Sequence, residues 1–302
     1  MGWALGANDA ANVFGTAVAS RIVRYRTAVI LAAVFIVIGA VIQGTGGIRT
    51  LSALTEQDNI SAFIVTLAAA GTVIAMTRLR LPVSTSQAMV GAIIGMGLTR
   101  GIEGVQWQGL VKVVICWVGT PVGAALIAFL LYPVLAWVLD RLRMTFLIRS
   151  ALLKAGLILF GCYGAYAMGG NSAANVAGVF YGAGFFGEHI RVLALIGGVS
   201  IALGVLTYSK GVMMTVGRGL VPLDAFSALV AVAAQAMTVH IYAFIGVPVS
   251  TSQAIVGGVL GIGLLKGVRT VNSRVLLRIM SGWLATPLIA GVITFAAGKL
   301  LM

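Results

Sequence analysis

Two short runs of neutral hydrogen-bonding side chains stand out in a chain that is otherwise mostly apolar. Residues 82–98 read PVSTSQAMVGAIIGMGL and residues 248–264 read PVSTSQAIVGGVLGIGL. Ser84, Thr85, Ser86 and Gln87 in the first run, and Ser250, Thr251, Ser252 and Gln253 in the second, sit at the start of a Gly-spaced apolar stretch long enough for a half-membrane helix. Pro is favoured just inside a helix start, and Ser or Thr there can cap the free backbone N–H groups. A helix start buried in a bilayer offers unpaired N–H groups and a positive dipole end, which suits an oxyanion. Neutral donors would hold such an anion without fixing it permanently, as a carrier requires. One such cluster could be a polar kink that packs helices through Ser and Thr hydrogen bonds; two near-identical copies favour a binding site.

A second pair of motifs supplies a different chemistry. Gly6-Ala7-Asn8-Asp9-Ala10-Ala11-Asn12 places a carboxylate inside an apolar segment, at a cost of ~3 kcal/mol on insertion scales. Asn8 and Asn12 are four apart and share a helix face. Asp and Asn oxygens suit a hard cation such as Na⁺; proton carriage by Asp9 is the rival role, and a helix break capped by Asn and Asp is the structural alternative. The second copy keeps Asn171 and Asn175 but has Ser172 in place of the acid. The two half-sites should therefore differ in cation affinity. A divalent oxyanion entering a low-dielectric site alone would lose many kcal/mol of hydration, and a cation bound beside it offsets part of that loss.

The elements that must position these groups are membrane helices. Of 302 residues 60% are hydrophobic and 9% charged, and apolar runs of about 20 residues recur from end to end, the length of a bilayer-spanning helix. This is an all-α polytopic membrane protein. The net charge of +13 in a soluble chain would suggest nucleic acid. Here Arg21, Arg24, Arg26, Arg141, Arg143 and Arg149 fall between apolar runs, where basic residues mark the cytoplasmic side, and no nucleic-acid partner is implied. Cys116 and Cys162 lie far apart in apolar runs and read as buried free thiols. There is no cleavable signal pattern, and the first apolar segment is short enough that the true start could lie upstream of Met1.

The chain is duplicated. GANDAANVFG at 6–15 matches GGNSAANVAG at 169–178, the PVSTSQ runs recur 166 residues apart, and Trp117-Val118-Gly119-Thr120-Pro121 matches Trp283-Leu284-Ala285-Thr286-Pro287. The halves are 1–150 and 151–302, joined at the basic segment 141–154. Each has the Asn motif first, then an apolar run (27–43, 190–207), a long stretch carrying PVSTSQ (60–99, 223–265), and a segment interrupted by Thr-Pro (107–138, 275–302). Pro121 and Pro287 should kink or break theirs. The stretch 223–265 is too long for one span and should turn at Gly246-Val247-Pro248. Duplicated, interrupted apolar segments at matching positions point to a transporter's central site. His240 reads as a packed, hydrogen-bonded group, His189 after Glu188 as solvated, and Arg78 and Arg80 as interfacial.

GANDAANVFGTAVAS at 6–20 and the two PVSTSQ runs resemble the inorganic phosphate transporter (PiT) family, over essentially the whole chain and in order. The resemblance implies an inverted repeat around discontinuous helices with paired hairpin-like elements. It implies cation-coupled phosphate uptake across the plasma membrane by a homodimer. In its terms the Ser/Thr elements bind phosphate, and Asn8, Asp9, Asn12, Asn171, Ser172 and Asn175 bind the cation, with no further cofactor. Two departures matter. Ser172 stands where the family often has an acid, and Ser86-Gln87 and Ser252-Gln253 stand where it often has Thr-His. The long loop between halves of animal members is absent, which fits a prokaryotic-type minimal carrier.

The function read from the sequence is Na⁺-coupled phosphate symport by alternating access. The alternative is an H⁺-coupled carrier of sulfate or a related oxyanion; a passive channel would gain nothing from a co-bound cation. An intramembrane serine protease is excluded by the missing G-x-S-x-G elbow and by Ile74 in the place corresponding to His240.

Overall fold

The structure, a computed structural model, describes residues 1–78, 83–187, 189–216, 223–267 and 273–302. Glu188, Arg80 and Pro82 lie outside the described residues. In the first half the helices are α1 (Gly2–Ala19), α2 (Tyr25–Gln43), α3 (Thr45–Ser52), α4 (Asn59–Arg78), α5 (Thr85–Thr99) and α6 (Trp107–Arg141). In the second they are α7 (Phe146–Gly182), α8 (Ile190–Tyr208), α9 (Lys210–Val216), α10 (Ala225–Ile245), α11 (Thr251–Lys266) and α12 (Ser273–Leu301). Among the described residues seven helices are long and apolar enough to cross a membrane. The PVSTSQ helices are not among them. At 1.5 Å per residue α5 and α11 reach only about 22–24 Å, short of the ~30 Å hydrocarbon layer.

The expected turn after α10 falls where the sequence places it. Gly246 caps the helix at φ 78°, ψ 25°, left-handed geometry that Gly adopts without a Cβ penalty. Two expectations are corrected. Neither Pro121 nor Pro287 breaks its segment: α6 runs 35 residues through Pro121 and Pro133, and α12 runs 29 through Pro287. Surrounding helices hold the interrupted turn, and Thr120 and Thr286 bond back to the carbonyls of Cys116 and Gly282, each at 2.6 Å. Pro248 is not the first helical residue either. It stands two residues before the N-cap Ser250, so it stiffens the approach rather than the helix.

The repeat is inverted. The C-terminal end of α5 lies beside Glu56 and Asp58, which Arg100 approaches at 3.9 and 3.4 Å, and Lys299 at the end of α12 reaches the Thr99 carbonyl at 3.0 Å. The corresponding end of α11 lies on the opposite face, where Lys266 pairs with Asp224 at the start of α10. On that second face Tyr25 meets Ser209 at 3.2 Å, and the Lys210 ammonium lies 5.9 Å from the Tyr25 ring centre. Arg21, Arg24 and Arg26 adjoin this contact and Arg141, Arg143 and Arg149 the α6–α7 turn. Clustered basic residues are the usual mark of a cytoplasmic face.

Each half's helices pack on the other half's. A Cβ added at Gly91 or Gly95 of α5 would lie 2.2 Å from the carbonyl oxygens of Pro287 and Gly291 of α12. A Cβ at the equivalent Gly257 or Gly261 of α11 would lie at the same distance from the carbonyl oxygens of Pro121 and Ala125 of α6. Likewise a Cβ added at Gly39 of α2 would lie 1.9 Å from the Tyr166 carbonyl oxygen of α7, and one at Gly204 of α8 would lie 2.1 Å from the Trp3 carbonyl oxygen of α1. These glycines let backbones touch, the device by which membrane helices gain dispersion energy where lipid offers no hydrophobic drive. Outward-facing Ile30, Phe63, Val118, Leu126, Leu159 and Leu284 are exposed on the lipid-facing flanks.

Candidate anion and cation site at the crossed helix tips

The first turns of α5 and α11 meet inside the bundle. Ser84 and Ser250 are the N-caps, and their hydroxyl oxygens accept from the Gln87 and Gln253 backbone N–H groups at 3.3 and 3.2 Å. The next Ser in each run reaches across. Ser86 donates to the Val249 carbonyl at 2.9 Å, and Ser252 donates to the Val83 carbonyl at 3.1 Å. Each tip is thus tied to the residue preceding the other tip's cap.

The Asn motifs close the same ring. Asn12 donates to Thr251 at 3.0 Å and to Ser252 at 3.1 Å, and Asn175 donates to Ser86 at 2.9 Å. Asn12 of the first half serves the second-half tip, and Asn175 of the second half serves the first-half tip. Asn171 holds the Val249 backbone from both sides, its Oδ1 accepting from the N–H and its Nδ2 donating to the carbonyl, each at 2.8 Å. Ser172 lies 3.5 Å from the Asn171 amide.

Two features break the symmetry. Asp9, the acid that Ser172 replaces, accepts from the Thr85 hydroxyl at 2.8 Å through Oδ2, while its Oδ1 is buried with no hydrogen-bond partner. Asn8 does not repeat the part played by Asn171. It donates to Thr77 of α4 at 2.9 Å, and the residue equivalent to Thr77 is Ala243. Thr77 lies outside every repeated motif, so repeat comparison alone could not find it; a lone hydroxyl near the end of an apolar helix was its only signal.

All the residues singled out from the sequence as candidates are therefore in one cluster, except that Asn8 turns towards α4. Every one but Ser252 is buried. The remaining valences are informative. Asp9 Oδ1 and Asn175 Oδ1 are acceptors without donors, a fit for a cation that needs oxygen ligands. The helix starts supply N–H groups, a fit for an anion. His240 is held apart from this cluster: its Nδ1 is 2.7 Å from the Tyr163 hydroxyl, with the Tyr163 and Tyr166 rings edge-on to it, which is the packing role expected. Cys116 and Cys162 are free thiols.

An inverted repeat whose two half-membrane helices meet tip to tip around a buried acid defines a multi-pass membrane transporter rather than an enzyme. Comparison with known proteins agrees. The phosphate transporter family profile matches twice, at residues 5–151 and 148–294. The "Putative phosphate permease" of Methanocaldococcus jannaschii is 30% identical over 301 residues, covering 98% of this chain and 93% of the relative. A protein of the same description from Pyrococcus furiosus is 28% identical over 387 residues, covering 100% of this chain and 94% of its own. A solved structure titled "The sodium-dependent phosphate transporter" superposes with a TM-score of 0.85 over 100% of this chain and 97% of that one, at 24% identity, which shows the shared fold. The chain belongs to the phosphate transporter family.

Proposed function

We propose that this protein is a symporter that carries inorganic phosphate together with Na⁺ by alternating access, its repeat units being residues 1–150 and 151–302. The observation that carries this reading is the Asp9–Thr85 contact: the buried carboxylate is bonded to the first helical residue of an anion-suited tip, and keeps one oxygen free. Asp9, Asn12 and Asn175 gather the cation, with Asn171 and Ser172 shaping the weaker half-site and Asn8 bracing α1 against α4. The N–H groups at the starts of α5 and α11, with Thr85, Ser86, Gln87, Thr251, Ser252 and Gln253, gather the phosphate; Ser84 and Ser250 serve it by capping. Binding a cation beside the anion offsets part of the penalty of carrying either alone. The reciprocal bonds Ser86 to Val249 and Ser252 to Val83 tie the two tips together from both sides, and opening of the site by alternating access would have to break at least one of them. A homodimer in the cell membrane belongs to the same reading.

The test is uptake of radiolabelled phosphate and sulfate into proteoliposomes under imposed Na⁺ or H⁺ gradients. Uptake of phosphate driven by Na⁺ alone supports the reading; uptake of sulfate driven by H⁺ alone replaces it. In the same assay, the double variant Gln87→Ala, Gln253→Ala should raise the half-saturating phosphate concentration by about tenfold or more, one lost donor contact to a charged group at each tip.

A further inference from the structure

Two tryptophans that recur with the Thr-Pro segments take no part in the ring described above. The indole N–H of Trp117 and that of Trp283 are buried without a hydrogen-bond partner, and so are the side-chain oxygens of Gln253 and Gln87. Their places in the fold pair them. Gly257 and Gly261 of α11 touch Pro121 and Ala125 of α6, so the two helices run parallel and in step. One turn earlier on the same faces stand Gln253 and Trp117. Gly91 and Gly95 of α5 touch Pro287 and Gly291 of α12, and one turn earlier stand Gln87 and Trp283. The register therefore sets each unpartnered donor level with an unpartnered acceptor on the neighbouring helix, though neither pair is hydrogen-bonded here, and the arrangement occurs twice, each time between a helix of one half and a helix of the other.

We propose that Trp117 and Trp283 are positioning residues for the anion site: in the working transporter each indole N–H donates to the oxygen of its facing glutamine. An indole N–H can only donate, whereas an amide can present either its oxygen or its NH₂. Holding the oxygen leaves the NH₂ as the end turned toward the meeting tips. An unanchored glutamine could instead turn its oxygen to the site and repel an anion. This inference rests on the glutamine role proposed above and adds the residues that fix its sign.

Phe keeps the aromatic bulk and deletes the donor, so Trp117→Phe and Trp283→Phe are the variants to test. Each should raise the half-saturating phosphate concentration about five- to tenfold, with the maximal rate and the half-saturating Na⁺ concentration unchanged. Trp117→Phe combined with Gln253→Ala should be no worse than Gln253→Ala alone, because the tryptophan acts through the glutamine. A second readout needs no transport: the ¹⁵N-labelled indole proton resonance of Trp117 in detergent should move upfield in Gln253→Ala as its acceptor is lost. Additive effects in the double variant, Trp→Phe proteins with wild-type phosphate affinity beside an impaired Gln253→Ala, or an unmoved indole resonance would overturn the pairing. A wild-type phosphate response in Gln253→Ala itself would overturn both this inference and the glutamine role on which it rests.

Discussion

Replacing Asp9 by Asn should reduce Na⁺-stimulated phosphate uptake to background, a loss of about a hundredfold or more, while the protein still folds. The substitution isolates charge from shape. An Asn at this position can still accept from Thr85 through its own oxygen, so the contact at 2.8 Å survives. What disappears is the negative charge among ligands that are otherwise neutral. Asn12, Asn171, Ser172 and Asn175 can solvate a cation but not balance it, and the anion then has nothing to offset its dehydration. A hundredfold loss corresponds to about 2.7 kcal/mol, modest beside the cost of an uncompensated charge at mid-membrane. The assay is initial uptake in proteoliposomes containing equal amounts of folded protein. Normal Na⁺ dependence in Asp9→Asn would remove the cation role from this residue.

The second large effect concerns the glycines on which the halves meet. Gly91→Ala and Gly257→Ala should each abolish recovery of monodisperse protein in detergent, whereas Gly71→Ala should leave it unchanged or slightly more stable. Helix propensity alone favours Ala over Gly by about 1 kcal/mol, and that is the sign expected at Gly71, where an added Cβ meets nothing within 4 Å. At Gly91 and Gly257 the Cβ would sit 2.2 Å from a backbone carbonyl, which has no rotamer to escape into. Separating the helices costs more than the about 1–3 kcal/mol typical of an overpacked side chain, and it would also displace the tips. Size-exclusion profiles and thermal unfolding of the three variants decide the matter. Normal folding of Gly91→Ala would mean that the α5–α12 contact is looser than the geometry requires.

Much of this arrangement was legible in the sequence because polar residues are costly in lipid and so stand out. The Asn motifs and the Ser/Thr runs are conspicuous for that reason, and their recurrence showed which positions are equivalent. The turn at Gly246 followed from length: a largely apolar stretch of 43 residues cannot be a single crossing. What repetition could not reveal is who touches whom. Equivalent motifs could pair within a half or between halves, and only the fold shows Asn12 beside Ser252 and Asn175 beside Ser86. The divergence of Asn8 was invisible because its partner Thr77 lies outside the motifs. The break expected at the prolines does not occur because in lipid, with no water to satisfy freed backbone groups, continuing the helix keeps all but the groups next to Pro121 and Pro287 paired. The tryptophans looked like mere markers of duplication until the glycine contacts gave the register that sets them opposite Gln87 and Gln253.

The reciprocal ties between halves also constrain how the molecule is made. When α5 leaves the translocation machinery, Pro287 and Val249, against which its glycine and its serine will rest, have yet to be synthesised. A polar helix tip must therefore wait in the bilayer, held at first only by its own cap and by Asp9, until Asn175 and then Val249, 89 and 163 residues after Ser86, have been inserted. The centre of this protein is complete only once most of its second half has been made.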